Sequence, residues 1–345
     1  MTNKLFLDSG YINMGFLICH EAPFTILTGG RGTGKTYGAT KWLYENKTKY
    51  RKFLWLRRTE KGELDSISKT QFSPFVKYCL QEHKEFPEVT KEGNLYTVYS
   101  PNKEEVWGYM GALSTFSNLR GMEGAFAEVD VIIYDEFIPE KHKSKMSGEY
   151  EAIINLYETI CRNRELEGEK PVKMLFMANA FNVANPLFRG LGIVDHVCRM
   201  QESGQEKEYL KERGLYLVCL RKSRISELKK EKTALGKLGV GEEFENEIYN
   251  NSFYVDNRFI KPMALKGWIP VVQYGEMCIY TNKQQDTYYI GVHPVGKLNY
   301  IPYGSKQGDK AFTTRYSYLY MNYIQYENII FESISAKVLF ENSFF

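Results

Sequence analysis

The sequence predicts an α/β fold: a mostly parallel sheet flanked by helices, followed by a smaller, β-rich C-terminal unit. Three observations predict it. Residues 29–36 read Gly29-Gly30-Arg31-Gly32-Thr33-Gly34-Lys35-Thr36, a glycine-rich loop between a short apolar run and a segment of helical periodicity. Further short apolar runs alternate with helical patterns up to about residue 200, the rhythm of parallel strands joined by crossover helices. Beyond residue 240 the pattern becomes closely spaced β-like segments separated by turns.

Residues 1–23 form a leader to the first core strand, Phe24-Thr25-Ile26-Leu27-Thr28. After the glycine loop, Tyr37 to Tyr44 place apolar residues at helical spacing. Phe53-Leu54-Trp55-Leu56 form a second apolar strand, which ends in Arg57-Arg58. Residues 94–100 and 105–110 alternate enough for a β excursion. Val131-Ile132-Ile133-Tyr134 form a third buried strand. Residues 149–164 carry Ile153, Ile154, Leu156, Tyr157 and Ile160 at helical spacing, and Lys173 to Ala178 form another buried strand. Short continuous apolar strands are what a sheet covered on both faces requires. Residues 202–240, rich in Lys, Glu and Arg, read as a partly helical linker or lid between domains at 1–201 and 241–345. The stretches Arg221-Lys222-Ser223-Arg224 and Lys229-Lys230-Glu231-Lys232 are either a solvated helical face or a contact for a nucleic-acid backbone or a neighbouring subunit. In the last unit, residues 268–272, 277–280 and 287–292 form a β-meander, and the Tyr-rich stretch from Arg315 to Phe331 forms a closing helix.

Composition narrows the class. A chain of 345 residues with 43% hydrophobic content has room for two packed domains. A net charge of +3 does not by itself imply a nucleic-acid partner, so any such contact has to come from local basic patches. The six cysteines lack C-x-x-C spacing, which argues against zinc and fits reduced thiols. There is no basic-then-apolar N-terminal signal and no run of roughly 20 apolar residues, so a soluble intracellular protein without a membrane partner is expected.

The chemistry starts at residues 29–36, which match the phosphate-binding pattern G-x-x-x-x-G-K-[ST]. Gly29, Gly30, Gly32 and Gly34 let backbone N–H groups turn towards phosphate oxygens, and Thr33 completes the loop. Lys35 is placed to reach the β and γ phosphates of ATP, and Thr36 to ligate Mg²⁺. Arg31 is an unusual residue inside such a loop; it adds charge near the phosphates or ties the loop to a carboxylate. The strand 131–134 runs directly into Asp135-Glu136. Asp135 is the expected Mg²⁺ ligand and Glu136 the general base for an attacking water, a pair suited to hydrolysis rather than to a kinase that must exclude water. Asn179 follows a strand at the sheet edge where ligands sit; it either hydrogen-bonds the attacking water or γ-phosphate, or forms an Asx turn. Arg162 and Arg164 close a helical segment, where they either complement the helix dipole or supply an arginine finger, and spacing does not choose. Arg57-Arg58, on the ligand edge, sense nucleotide, pair with acids or face a partner, and Arg120-Gly121 form a loop shortly before the Asp-Glu strand.

Taken together, the glycine loop with its internal Arg31, Phe53 to Arg58, Val131 to Phe137, Cys161-Arg162-Asn163-Arg164-Glu165 and Ala178-Asn179-Ala180 resemble the genome-packaging ATPases of small tailed phages, relatives of the large terminase motors. The resemblance covers about residues 20–190. It implies a P-loop fold of the ASCE type and a homomeric, pentameric ring on the portal of an empty procapsid. It also implies ATP-driven translocation of double-stranded DNA, in the host cytoplasm and transiently on the capsid, without retention in the mature virion. Some relatives also use a structural packaging RNA. On this basis Arg162 is the expected trans-acting finger, with Arg164 second, and Asn179 matches the family's coupling motif. In larger terminases the C-terminal domain is an RNase H-like nuclease. Here Thr287 to Val292 resembles its first strand, with His293 where a catalytic Asp is expected, and Asp256, Asp286 and Asp309 make no clear triad. The expectation is a vestigial nuclease fold that binds DNA, portal or RNA. The competing readings are a helicase or replication ATPase, a terminase with an active nuclease, and a nucleotide-gated scaffold without turnover.

Overall fold

The computed structural model describes residues 4–59, 64–65, 74–119, 123–139, 146, 148–179, 182–220, 224–238 and 259–344. Arg120-Gly121, Ala180, Arg221 to Ser223 and Asp256 lie outside the described residues. The chain divides into two compact units, one drawn from Met1–Ser144, Ala152–Phe181 and Gln205–Ser252, the other from Lys145–Glu151, Asn182–Gly204 and Phe253–Phe345.

The first unit is built on a nine-stranded sheet. Its strands are β1 (Phe24–Thr28), β2 (Lys52–Arg57), β3 (Glu88–Glu92), β4 (Leu95–Tyr99), β5 (Val106–Ala112), β6 (Val129–Asp135), β7 (Lys173–Ala178), β8 (Lys207–Leu210) and β9 (Leu215–Cys219). They lie in the order β3-β4-β5-β2-β6-β7-β1-β9-β8. The six central strands, β5 to β9 in that order, pair parallel, while β3-β4, β4-β5 and β8-β9 pair antiparallel at the two edges. Alternate residues point to opposite faces, and both faces are dry. Phe53, Trp55, Val131, Ile133, Leu175, Met177 and Val218 pack in one core with Ala39, Trp42 and Leu43 of the helix Lys35–Glu45, while Leu54, Ile132, Met174 and Phe176 are buried too. This two-sided burial explains why the central strands read as unbroken apolar runs. The consequence for function is positional: the carboxyl ends of β1, β2, β6 and β7 lie side by side, with β7 between the strand before the glycine loop and the strand before Asp135.

The segment expected to be a linker or lid is in part sheet. Residues 207–210 and 215–219 form β8 and β9, and β9 is paired to β1 over five residues. The charge-rich surroundings hide Leu215-Tyr216-Leu217-Val218, which is buried, whereas Lys207 and Glu208 belong to the edge strand β8, where charge is compatible with solvent. Helices follow at Arg224–Lys232 and Ala234–Leu238.

The second unit holds a five-stranded sheet. Its strands are β10 (Ile269–Tyr274), β11 (Met277–Asn282), β12 (Thr287–Gly291), β13 (Tyr300–Ile301) and β14 (Ile329–Phe331), in the order β13-β10-β11-β12-β14. The meander β10-β11-β12 is antiparallel as expected, with β13 and β14 added parallel at its two sides. Thr287–Gly291 is therefore the third strand of this sheet in chain order rather than its first. The single closing helix expected over 315–331 is divided: helices run Lys306–Tyr316 and Tyr318–Gln325, the chain then enters β14, and a last helix spans Ile334–Glu341. Apolar Ile329 and Phe331 are buried in the sheet, whereas Met321 and Ile324 on the preceding helix are exposed. Helices Pro186–Leu191 and Val194–Ser203 also belong here; Arg189 is buried and lies over the Tyr303 ring while donating to Asn342 O and Ser343 Oγ.

Candidate active site

β1 delivers the glycine loop at its carboxyl end. Gly32 and Gly34 have φ values of 75° and 90°, a left-handed geometry that side-chain-bearing residues avoid. A Cβ on Gly34 would come within 2.9 Å of the Tyr11 ring, and one on Gly29 within 2.8 Å of Leu220. The leader thus packs on the loop, and Ile12 N–H donates to Thr33 O at 3.1 Å. The helix Lys35–Glu45 starts straight after Gly34 with no side-chain cap, which leaves its N-terminal N–H groups for an anion.

Lys35 is buried, and its ammonium is caught by surrounding oxygens. Nζ donates to Gly29 O (3.0 Å), Gly30 O (2.8 Å), Thr33 Oγ1 (3.4 Å) and Asn179 Oδ1 (3.1 Å). Asn179, one residue beyond β7, is thereby tied to the loop on β1. Thr36 Oγ1 donates to Asp135 Oδ2 at 3.1 Å, which joins the loop to the end of β6. A hydroxyl and a carboxylate in contact are hard oxygen donors of the kind Mg²⁺ takes together with phosphate oxygens, so these residues fit the ion.

Asp135 is 2% exposed. Burial pushes its carboxyl above the usual carboxylate range, the Arg57 guanidinium opposes that, and the neighbouring Glu136 charge adds to the upward push. Arg57, at the end of β2, is itself buried and bridges both acids: Nη2 lies 2.9 Å from Asp135 and Nη1 lies 2.5 Å from Glu136. Its Nε is buried without a hydrogen-bond partner. Of the readings open for Arg57, the geometry is that of pairing with acids. Glu136 has φ 59°, uncommon for a residue with a side chain, and a half-exposed carboxylate. Strain of this kind is tolerated where a side chain must be aimed. Arg58 is buried and Arg31 is exposed on the loop.

Arg162 and Arg164 lie at the other edge of the sheet. Arg162 follows the helix Glu149–Cys161 in a left-handed conformation (φ 46°), its N–H bonded to Glu158 O, and it is exposed. Arg164 is buried and turned into its own chain: Nη1 donates to Val129 O (2.9 Å) and Asp130 Oδ1 (3.1 Å), and Nη2 donates to Ala127 O. These partners are at the start of β6, whereas Asp135 is at its end, about 20 Å away at about 3.3 Å per residue. An arginine side chain does not cover that distance, so neither residue enters the phosphate site of its own chain.

Lys35, Thr36, Asp135, Glu136 and Asn179 are therefore brought together, and Arg162 is not. The docking of Tyr11 and Ile12 on the loop was missed because a single hydrogen bond and one ring contact leave no periodic trace. The pairing of Arg51 with Asp130, 2.8 Å between Nη2 and Oδ1, was missed because both residues flank apolar runs where charge reads as ordinary solvation. In the second unit, Asp309 accepts from Tyr274 Oη (2.7 Å) and Gly304 N (2.9 Å), His293 Nδ1 lies 3.2 Å from Glu332, and Asp286 sits in a turn. Among the described residues, no group of three or more His, Cys, Asp or Glu side chains is arranged to hold a metal ion, and no helix is long and apolar enough to cross a membrane.

Comparison with known proteins agrees with this frame. A family model described as podovirus DNA encapsidation protein (Gp16) matches residues 7–301. The DNA packaging proteins of Bacillus phages phi29 and PZA are each 26% identical to the chain, over 252 and 251 residues respectively, covering 72% of this chain and 67% of each relative. Among solved structures, the Phi-28 gp11 DNA packaging motor aligns over 96% of both chains with a TM-score of 0.61 at 16% identity, a likeness of fold.

Proposed function

The chain belongs to the podovirus DNA encapsidation protein (Gp16) family, and from that premise we propose that it is an ATP-hydrolysing motor that drives double-stranded viral DNA into a preformed capsid. The observation that carries the ATPase reading is the meeting of Lys35, Thr36, Asp135, Glu136 and Asn179 at one sheet edge, linked by hydrogen bonds and the Arg57 bridge.

Each residue has a role that its surroundings favour. Lys35 is a buried cation whose partners include two carbonyls, a hydroxyl and an amide, neutral groups that yield to a phosphate. Thr36 and Asp135 would hold Mg²⁺, which neutralises triphosphate charge when bound. Glu136 polarises the attacking water once its carboxylate turns from Arg57 towards the water. Asn179, already in contact with Lys35, responds to the γ-phosphate and passes its loss into the chain that follows β7. Arg162 serves the site of a neighbouring subunit, which its exposure and its distance from its own phosphate loop support. The working assembly is then a homomeric, pentameric ring on the portal of the procapsid in the host cytoplasm, with a packaging RNA as a further partner where one is used. The second unit is a vestigial nuclease-like domain that contacts DNA, portal or RNA.

The test separates binding from turnover. Glu136→Gln keeps ATP binding within a few-fold and loses about 10²–10⁴ in turnover. Normal hydrolysis by that variant would mean that another group is the base.

A further inference from the structure

We propose that Arg164 is a positioning residue that fixes the turn carrying Arg162 for use by a second copy of this chain. The proposal rests on the reading of Arg162 as a residue that acts on a neighbour's site.

The turn after the helix Glu149–Cys161 is short and internally bonded: Arg164 N–H reaches Cys161 O, Glu167 N–H reaches Asn163 O, and Glu169 N–H returns to Arg164 O, all at 3.0 Å. Arg164 fastens this turn to the sheet. Its buried guanidinium grips the carbonyls of Val129 and Ala127 and the carboxylate of Asp130. Glu169, on the far side of the turn, lies 3.5 Å from Arg164 Nε and 2.9 Å from Arg51 Nη2. Arg51 closes the ring of charges: its backbone N–H donates to Asp130 Oδ2 at 2.8 Å and its Nη2 lies 2.8 Å from Asp130 Oδ1. Two arginines and two carboxylates thus pin the turn to the starts of β2 and β6 at several points.

Positioning requires what a helix C-terminus alone does not give. A helix end frays, and a long exposed side chain on it loses rotamer entropy when it docks. Arg162 is two residues from a buried fork that contacts three separate backbone and side-chain groups, so its Cα is held relative to β6 while its side chain remains exposed. The fork geometry matters. Lysine keeps the charge but cannot make the divergent contacts of a planar guanidinium. The same strand ends at Asp135, directly before Glu136, so the strand that anchors the Arg162 turn also leads into the base.

The experiment measures steady-state ATP hydrolysis by the full chain, with empty capsids and duplex DNA, for Arg162→Ala, Arg164→Lys and Asp130→Asn, each alone and mixed with Lys35→Ala. Lys35→Ala subunits lack a working phosphate site but keep both the turn and Arg162. Arg164→Lys is expected to lower kcat at least tenfold with KM for ATP within twofold, and Asp130→Asn to do so more weakly. Mixing Arg164→Lys with Lys35→Ala is expected to restore activity, as mixing Arg162→Ala with Lys35→Ala does. In the Arg162→Ala background, Arg164→Lys is expected to cost nothing further. Recovery for Arg162→Ala without recovery for Arg164→Lys would overturn the proposal and leave Arg164 as a support of its own fold. Undiminished turnover by Arg162→Ala, or no recovery on mixing it, would instead overturn the reading of Arg162. If Arg164→Lys does not fold, Asp130→Asn answers the same question: wild-type kcat in that variant would overturn the proposal.

Discussion

The two ends of the β2-β6 pair use the same chemistry differently. At the start of the strands, Arg51 and Arg164 hold Asp130; at their end, Arg57 holds Asp135. Both aspartates lie on β6. Burial pushes Asp130 up, yet the hydrogen bonds and charge of Arg51, together with the charge of Arg164, outweigh it and leave that carboxyl below its usual value. At Asp135 burial wins, because the group is almost fully buried and Glu136 adds a second negative charge, so the carboxyl is raised despite Arg57. The first end is a satisfied lock. At the second, desolvation keeps the carboxyl raised even with Arg57 and Lys35 both acting on it, and a bound Mg²⁺ would add positive charge there. How firmly each carboxylate holds its charge thus depends on desolvation as well as on the arginine beside it.

Substitutions sharpen the contrast. Asp135→Ala removes one of the two acids on buried Arg57 and the acceptor of Thr36; denaturant unfolding is expected to show a loss on the order of 1–3 kcal/mol. An unchanged midpoint would mean that Arg57 finds other partners. Asn179→Ala removes one of the groups that hold Lys35 and is expected to slow turnover on the order of tenfold while the unfolding midpoint stays near that of the wild type. The opposite split, a large stability loss at normal turnover, would return Asn179 to a purely structural Asx role.

The smallest effect belongs to the lock. Asp130→Asn keeps the shape and loses the charge of a partly exposed pair, so at neutral pH it is expected to cost about 1 kcal/mol or less. Its pH dependence has a definite sign. The folded-state value of Asp130 lies below its unfolded value of about 3.9, so the stabilisation is complete above that pH and is lost as pH falls through the folded value. The deficit of Asp130→Asn relative to wild type should therefore shrink below about pH 4. A deficit that grows with acidity would contradict the assignment.

Much of this was legible in the residues. The loop at 29–36, the run into Asp135-Glu136 and Asn179 after Ala178 point to the candidate phosphate site because each element needs a particular residue type next to a buried strand. Two-sided burial made β1, β2, β6 and β7 visible as apolar runs. The edge strand β8 was not visible, because Lys207 and Glu208 are what an edge tolerates, and β9 was masked by that neighbourhood. The choice among roles for Arg57 and Arg164 was also illegible. Both are arginines at the ends of regular elements, and only the sheet order shows that one faces Asp135 and Glu136 while the other grips Val129 and Asp130.

In the proposed function, hydrolysis at this site is coupled to DNA entering a capsid. The measurement that tests it most directly is phosphate release by the full chain with duplex DNA, with empty capsids, with both and with neither. Stimulation by each, with the largest rate from both, is expected. A rate indifferent to capsids and duplex DNA, or one raised by single-stranded DNA alone, would contradict it.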